Sequence, residues 1–198
     1  MKEEKKMRKA VIKRETSETK ISLNFVIDGQ GKRKIKTSIP FFDHMLDLFT
    51  KQGQFDLTVT AKGDLDIDAH HTVEDVGICL GLAIKESLGD CKGIQRYASG
   101  LIPMDEALCQ MAIDICNRPT LVINSDLPKT KVGEFDVELV EEFFNALVNN
   151  ARISLHIDIL RGNNIHHIVE SIFKAFGVIL DQASRVTGNT IPSTKGKL

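Results

Sequence analysis

The sequence predicts an α+β fold made of two duplicated half-domains, each a mostly antiparallel sheet with two helices on one face. The first observation is a pattern that occurs twice, HHTVE at residues 70–74 and HHIVE at residues 166–170. The alignment of the two copies continues without gaps for 12 residues, to Gly81 and Gly177. The second observation is that segments with alternating apolar residues precede helix-like segments in both halves. A duplicated half-domain accounts for both observations.

The first half is predicted to begin with a meander of three strands. Its strands are expected at residues 9–16, 20–27, 32–39 and 55–61, and its helices at residues 40–53 and 69–88. The turn signal Asp28-Gly29-Gln30-Gly31 separates the second strand from the third. Pro40 is well placed to start the first helix and Gly89 to close the second.

The second half repeats this order more loosely. Its strands are expected at residues 107–116, 120–124 and 153–160, and its helices at residues 137–150 and 166–186. The predicted domains are a first repeat at residues 1–92, a second at 93–186 and a substrate-binding tail at 187–198. The tail is rich in Gly, Ser, Thr and Lys and would be disordered alone. Either the two sheets or the two helical layers should pack together.

Composition narrows the class of protein. The 198 residues are 42% hydrophobic, enough for an ordinary core. The net charge of -1 and the pI of about 6.6 argue against binding to nucleic acid or to an acidic membrane surface. The amino terminus is charged and no apolar run approaches ~20 residues, so we expect a cytoplasmic protein. The four cysteines lack CxxC spacing and are expected to be reduced.

The doubled HHxxE pattern predicts metal binding. On a helix the first histidine and the glutamate share one face, while the second histidine projects about 100° away. Imidazole and carboxylate ligands suit borderline divalent ions, of which manganese or zinc fits best. His44 and Glu142 lie in amphipathic stretches upstream of the two copies and can also ligate metals. His156 is left open between a core residue, a support for a ligand, and a ligand.

Several charged residues interrupt the apolar pattern. Arg96, Arg118 and Lys195 each lie beside a turn, a strand break or the Ser/Gly-rich tail, and together can form a phosphate cradle. Taken singly, each is more typical of a solvated surface charge. The segment Pro-Met-Asp-Glu at residues 103–106 is interpreted as a tight turn with acidic residues entering a strand. These acids either cap a helix or strand or take part in catalysis.

Six motifs in order make the sequence resemble the imidazoleglycerol-phosphate dehydratase family. They are FFDHML at residues 41–46, GDLDIDAHHTVEDVGICLG at 63–81, PMDEAL at 103–108, LHI at 155–157, NNIHHIVESIFKAFG at 163–177 and IPSTKG at 191–196. The resemblance spans nearly the whole chain. It implies a fold of two fused repeats like ribosomal protein S5 domain 2, and a 24-subunit homo-oligomer with metals at the subunit interfaces.

The resemblance also implies a site with two Mn2+ ions. Its ligands would be His44, His70, His71, Glu74, Glu142, His166, His167 and Glu170. Glu142 stands where family members often have histidine, which can change metal preference. Gln52 likewise stands where a histidine is usual, so the resemblance does not assign a role in proton transfer or hydroxyl binding to that position.

The implied reaction is the dehydration of D-erythro-imidazole glycerol phosphate to imidazole acetol phosphate in L-histidine biosynthesis. The metals would favour an imidazolate that expels the hydroxyl through a diazafulvene-type intermediate. Glu18 would move the carbon-bound proton. The substrate phosphate would be held by Arg96, Arg118, Ser193 and Lys195. From the residues alone, two alternatives stay open: a metal-dependent hydrolase of a small phosphorylated or amide substrate, and a metal-storage or assembly protein.

Overall fold

The computed structural model describes residues 7–125 and 127–198, and the two halves share one order of elements apart from two short extra strands in the second. The first half contains β1 (Lys9–Glu15), β2 (Thr19–Val26), β3 (Arg33–Lys36), α1 (Pro40–Gln52), β4 (Asp56–Gly63) and α2 (His70–Leu88). The second half contains β5 (Tyr97–Met104), β6 (Ala107–Asp114), β7 (Thr120–Asn124), β8 (Lys131–Val132), β9 (Phe135–Asp136), α3 (Leu139–Ala151), β10 (Ser154–Arg161) and α4 (Ile165–Ser184).

Each half forms one four-stranded sheet, in the order β1-β2-β4-β3 and β5-β6-β10-β7. In both sheets the last two strands pair in parallel and the other pairs are antiparallel. Alternate residues of β2, such as Ile21, Leu23 and Phe25, are buried, as expected for a sheet with one covered face. The predicted α+β fold with mostly antiparallel sheets is confirmed.

The helices of the two halves pack against each other. Helix α2 lies on β1 and β2 and contacts α3, whereas α4 lies on β5 and β6 and contacts α1. Helical layers therefore face each other, which decides between the two arrangements left open by the sequence. We call α1–α4 and α2–α3 the cross-pairs, because each combines one helix from each half.

Two glycines at matching positions let these helix backbones approach closely. A Cβ on Gly81 of α2 would lie 2.5 Å from the carbonyl oxygen of Leu147 in α3, and one on Gly177 of α4 would lie 2.4 Å from that of Phe49 in α1. Leu147 and Phe49 thus occupy equivalent positions. Counting five residues back from each makes Glu142 the structural counterpart of His44.

The two helices of each cross-pair also run in the same direction. Gly77 approaches the carbonyl oxygen of Phe143, and Gly81, one turn later, approaches that of Leu147. The beginning of α3 therefore lies beside the beginning of α2. In the other pair, His44 near the start of α1 contacts Glu170 near the start of α4. Both pairs bring their predicted ligands to one end.

The sequence-based prediction missed β5 and the β8–β9 hairpin in the second half. Strand β5 lies at the edge of its sheet and contains Gly100 and Pro103, which weaken the usual strand pattern. Pro103 is tolerated there because an edge strand has one unpaired side. Helix α4 ends at Ser184, two residues before the predicted end. The first-half elements are found in the predicted order.

The carboxyl-terminal tail is held against the segment that joins the halves. The backbone nitrogen of Gly93 donates to the carbonyl of Thr190 (2.8 Å), and Gly93 accepts from the nitrogens of Thr187 and Gly188. Leu198 packs partly against the core. The tail is thereby ordered by the rest of the chain.

All four cysteines are free, as expected. Burial raises the pKa of Cys79 to about 11 and that of Cys109 to about 12, which keeps these thiols protonated and unreactive. Over the described part of the chain, every helix is too short or too polar to span a membrane.

Candidate metal and substrate site

The α1–α4 cluster consists of His44, His166 and Glu170. Glu170 Oε1 lies 2.8 Å from His44 Nε2 and 3.2 Å from His166 Nε2. Their ligand atoms all lie within 4.8 Å of one another. Helix α4 begins after Asn164, whose side chain accepts a hydrogen bond from the backbone nitrogen of His166. The cap places His166 in the first turn and Glu170 one turn later on the same face.

Lys174 completes the surroundings of the buried Glu170 carboxylate. Burial alone would raise the pKa of Glu170, but hydrogen bonds from Lys174, His44 and His166 lower it to about 2. Lys174 Nζ lies 2.7 Å from Glu170 Oε2 and 2.8 Å from Met104 Sδ. The sequence analysis did not select Lys174, although its spacing of four residues from Glu170 was a usable signal.

The α2–α3 cluster is the repeat-related counterpart and consists of His70, Glu74 and Glu142. His70 Nε2 lies 3.9 Å from Glu74 Oε2, so this pair is more open than its counterpart. Glu142 is assigned to this cluster by repeat position, as the counterpart of His44 at the start of α3, beside the start of α2. Among the described residues, only the α1–α4 cluster brings three ligand atoms within 4.8 Å.

The second histidine of each HHxxE copy points to a carboxylate outside these clusters. His71 Nδ1 lies 3.0 Å from Asp64 Oδ2, and His167 Nδ1 lies 2.8 Å from Glu106 Oε2. These contacts raise the pKa of both imidazoles. In each case the carboxylate fixes Nδ1 and leaves Nε2 as the ring nitrogen for a ligand.

Glu106 also ties the β5–β6 turn to the start of α4. It accepts hydrogen bonds from the backbone nitrogens of Asn163 (3.3 Å) and Asn164 (2.8 Å). The bond with His167, together with these backbone bonds, lowers the pKa of Glu106 to about 2. Of the two interpretations of the 103–106 segment, the structure supports a turn whose acid fixes a predicted ligand.

Glu18 lies in the turn between β1 and β2, with its side chain about half exposed. Its Oε1 is 3.9 Å from Nε2 of His71. The Thr16 hydroxyl accepts from the backbone nitrogens of Glu18 (3.1 Å) and Thr19 (3.0 Å), which shapes the turn. The carboxylate can therefore reach a substrate bound beside His71.

The predicted phosphate-binding arginines meet around Asp114. Arg96 donates from Nε to Asp114 Oδ1 (2.8 Å), and Arg118 Nη2 lies 3.8 Å from Asp114 Oδ2. The hydrogen bond between Arg96 and Asp114 raises the pKa of Arg96. The Arg96 guanidinium also lies over the ring of Tyr97, 4.5 Å from its centre. Asp114 holds both cations on one side of the second sheet.

The tail brings its own predicted residues to Arg96. Arg96 Nη1 donates to the carbonyl of Pro192 (2.8 Å), next to Ser193. The Ser193 hydroxyl accepts from the backbone nitrogen of Lys195 (3.2 Å), and Lys195 is exposed. The four residues predicted to bind phosphate thus belong to one region.

That region is far from the α1–α4 cluster of the same chain. The backbone nitrogen of Arg96 donates to the carbonyl of Ala183 in the last turn of α4, while His166 is in its first turn. Seventeen residues of helix separate Ala183 from His166, which corresponds to about 26 Å. A single small substrate cannot bridge the two within one chain.

Two residues left open by the sequence lie apart from both clusters. His156 is exposed on the face of the second sheet that points away from the helices, beside Ala112 and Val122. It is thus neither in the core nor in a cluster of this chain. Gln52 is exposed at the end of α1, the end opposite His44.

Comparison with known proteins identifies the family of this chain. The family model described as imidazoleglycerol-phosphate dehydratase matches residues 37–180. The imidazoleglycerol-phosphate dehydratase of Geobacter sulfurreducens is 58% identical over 193 residues, covering 96% of this chain and 99% of its own. That of Bacillus subtilis is 58% identical over 196 residues, covering 97% of this chain and 100% of its own.

Solved structures give the same result. The crystal structure of imidazoleglycerol-phosphate dehydratase from Staphylococcus aureus superposes with a TM-score of 0.81 at 42% identity, covering 92% of this chain and 99% of that one. The Pyrococcus furiosus enzyme in complex with (S)-C348 also gives 0.81, at 36% identity, covering 94% and 100%. This chain therefore belongs to the imidazoleglycerol-phosphate dehydratase family.

Proposed function

We propose that this chain is the hydro-lyase that dehydrates D-erythro-imidazole glycerol phosphate to imidazole acetol phosphate in L-histidine biosynthesis. Family membership across nearly the full chain supports the reaction. The observation that carries the proposal for the site is the convergence of His44, His166 and Glu170 at one end of a helix pair that has a repeat-related counterpart.

The two clusters fit two Mn2+ ions. Each offers imidazole nitrogen and carboxylate oxygen, a donor set that suits borderline divalent cations. The ligands are those of the α1–α4 cluster, those of the α2–α3 cluster, and His71 and His167. When bound, the two cations act as Lewis acids and as a template on the imidazole ring of the substrate.

Glu18 is the proposed acid and base. The proton that leaves is on a carbon without an adjacent carbonyl, so it needs a carboxylate placed next to the ring. Its distance of 3.9 Å from His71 puts the Glu18 carboxylate beside a proposed ligand. The carbon-bound proton passes to Glu18 and is returned to the neighbouring hydroxyl, so that this group leaves as water. The resulting enol becomes the ketone as its own proton moves to the carbon beside the ring.

Arg96, Arg118, Ser193 and Lys195 are proposed to hold the substrate phosphate. Because they lie about 26 Å from the α1–α4 cluster of the same chain, we propose that this cluster works with the phosphate region of another chain. In His71 and His167 the carboxylates of Asp64 and Glu106 contact Nδ1, so Nε2 is the atom proposed to ligate metals shared with neighbouring copies. We therefore propose a homo-oligomer of 24 chains with metals at its interfaces, whose mass would be about 530 kDa, 24 times 22.0 kDa.

A steady-state assay tests this function. Purified protein is stripped with a chelator, restored with manganese, and supplied with imidazole glycerol phosphate. We expect the keto product and one lost water, with activity returning only on restoration. A metal-dependent hydrolase would consume water and accept substrates without imidazole, and a storage protein would not turn over. Lack of activity in the restored 24-mer would refute the proposal.

A further inference from the structure

Asp75 is a buried carboxylate that joins α2 to the turn carrying Glu18. It is 6% exposed and lies in α2 four residues after His71. Its Oδ1 accepts from Nε of Arg14 in β1 (2.9 Å), and its Oδ2 accepts from the hydroxyl of Thr19, the first residue of β2. One side chain therefore connects the helix with both strands that flank the turn.

This connection fixes the turn relative to a proposed metal ligand. His71 and Asp75 share a face of α2 because they are four residues apart. Asp75 holds Thr19, and Glu18, the residue before it, faces His71 at 3.9 Å. The contact between Asp75 and Thr19 therefore fixes the position of the turn relative to α2. This contact lies one residue from Glu18 along the chain and one helical turn from His71.

Arg14 makes the buried carboxylate possible. An unpaired charge in this position would carry a large desolvation cost, which an ion pair and a hydroxyl donor offset. Arg14 itself is partly exposed, at 36%, so its guanidinium remains hydrated. Asp75 is consequently kept as a strong acceptor for the Thr19 hydroxyl.

The second half has no carboxylate at the position that matches Asp75. The 96-residue offset between the two HHxxE copies places Ser171 where Asp75 stands. The Ser171 hydroxyl donates to the carbonyl of Ile168 inside α4 (2.7 Å). The buried carboxylate belongs to the half that carries Glu18.

We propose that Asp75 is a positioning residue that acts through Thr19 to hold the Glu18 carboxylate against the substrate. The inference rests on the proposed function, in which Glu18 moves the carbon-bound proton. Misplacing a reacting group by about 1 Å can cost on the order of 10²-fold in rate. Loss of the anchor should therefore lower kcat while the metal and phosphate contacts, and hence KM, stay intact.

The test compares Thr19→Val, which removes the hydroxyl at nearly constant shape, with Thr19→Ser, which keeps it. For each 24-mer we would measure kcat, KM, bound manganese, and hydrogen exchange of the peptide spanning residues 14–22. Thr19→Val should lose about 10- to 100-fold in kcat, with KM and manganese within twofold of wild type and faster exchange in the turn. Thr19→Ser should recover most of kcat.

Two outcomes would overturn the proposal: a Thr19→Val enzyme with kcat within twofold of wild type, or a loss of kcat that merely follows loss of manganese. If Thr19→Val does not fold, Asp75→Asn, which keeps the side chain's size, is judged by the same criteria. The Glu18→Gln variant separates a failure of this inference from a failure of the proposed function. If that variant is fully active, the acid/base assignment fails, whatever Thr19→Val does.

Discussion

The α1–α4 and α2–α3 clusters have the same helix geometry but different chemistry. The α1–α4 cluster offers two imidazoles and one carboxylate, and Lys174 lies against that carboxylate. The α2–α3 cluster offers one imidazole and two carboxylates because Glu142 is the counterpart of His44. With neutral imidazoles, the formal ligand charges are -1 and -2. The two helix pairs thus match in geometry, while their donor atoms differ.

This difference predicts unequal metal preferences. Carboxylate-rich sites suit harder ions such as manganese, whereas imidazole-rich sites also suit zinc. The two clusters also differ in how closely their side chains contact one another. Glu170 is hydrogen-bonded to three cationic or imidazole groups, whereas His70 Nε2 and Glu74 Oε2 lie 3.9 Å apart. The α2–α3 cluster should therefore be the more selective for manganese over zinc.

The largest expected effect comes from changing Glu18, the proposed proton-transfer group, which lies in the first half. Glu18→Gln should lower kcat by on the order of 10³-fold because an amide cannot accept the proton. Bound manganese should be unchanged. Glu15→Gln is the matched control, since Glu15 is an exposed glutamate three residues earlier that pairs with Lys20. Near-wild-type turnover of Glu18→Gln would remove Glu18 from the mechanism.

The second prediction concerns the histidines that point away from their own clusters. His71→Ala should lose about half of the bound manganese and shift part of the protein to particles smaller than the 24-mer, because one metal loses an interface ligand. Elemental analysis and light scattering measure both. His156→Ala, an exposed histidine on the outer sheet face, should leave both unchanged. Full manganese occupancy in His71→Ala would contradict the ligand assignment.

The third prediction makes the two clusters more alike. Glu142→His gives the α2–α3 cluster the donor set of its counterpart, so zinc should compete about tenfold better with manganese there, on the order of 1.4 kcal/mol. Competition dialysis followed by elemental analysis reports the ratio. Glu141→His, on the exposed neighbouring position, controls for an added surface imidazole. An unchanged ratio would mean that Glu142 is not a ligand.

The smallest expected effect concerns acid stability of the metal-free protein. The pKa of Glu170 is lowered from 4.5 to about 2, so its ionised form stabilises the fold above about pH 4.5. That stabilisation is lost as the pH falls toward 2. Glu170→Gln should lower the free energy of unfolding at pH 6 and make that free energy depend less on pH between 4.5 and 2. The midpoint of acid unfolding should rise by about half a pH unit. Circular dichroism measures the midpoint, and an identical pH profile would contradict the lowered pKa.

The sequence predicted those features that depend on local spacing. The first-half strands, the four helices and the i, i+4 pairs of the HHxxE copies all follow from periodicity along the chain. Strand β5 was missed because its pairing with β6, not its own pattern, makes it a strand. The contact of His44 with Glu170 spans 126 residues and that of Arg14 with Asp75 spans 61. Partners so distant become visible only after the chain folds.

Cross-pairing of the helices also bears on the history of the chain. Each half gives its first helix to the second helix of the other, which is the arrangement of a swapped homodimer whose two copies became one polypeptide. In such an ancestor the two clusters were identical by symmetry, and any substitution changed both at once. In a single fused chain the two positions can vary separately, so His44 and its counterpart Glu142 can differ. Residues 1–92 and 93–198 produced as separate chains should accordingly find each other and rebuild both cross-pairs.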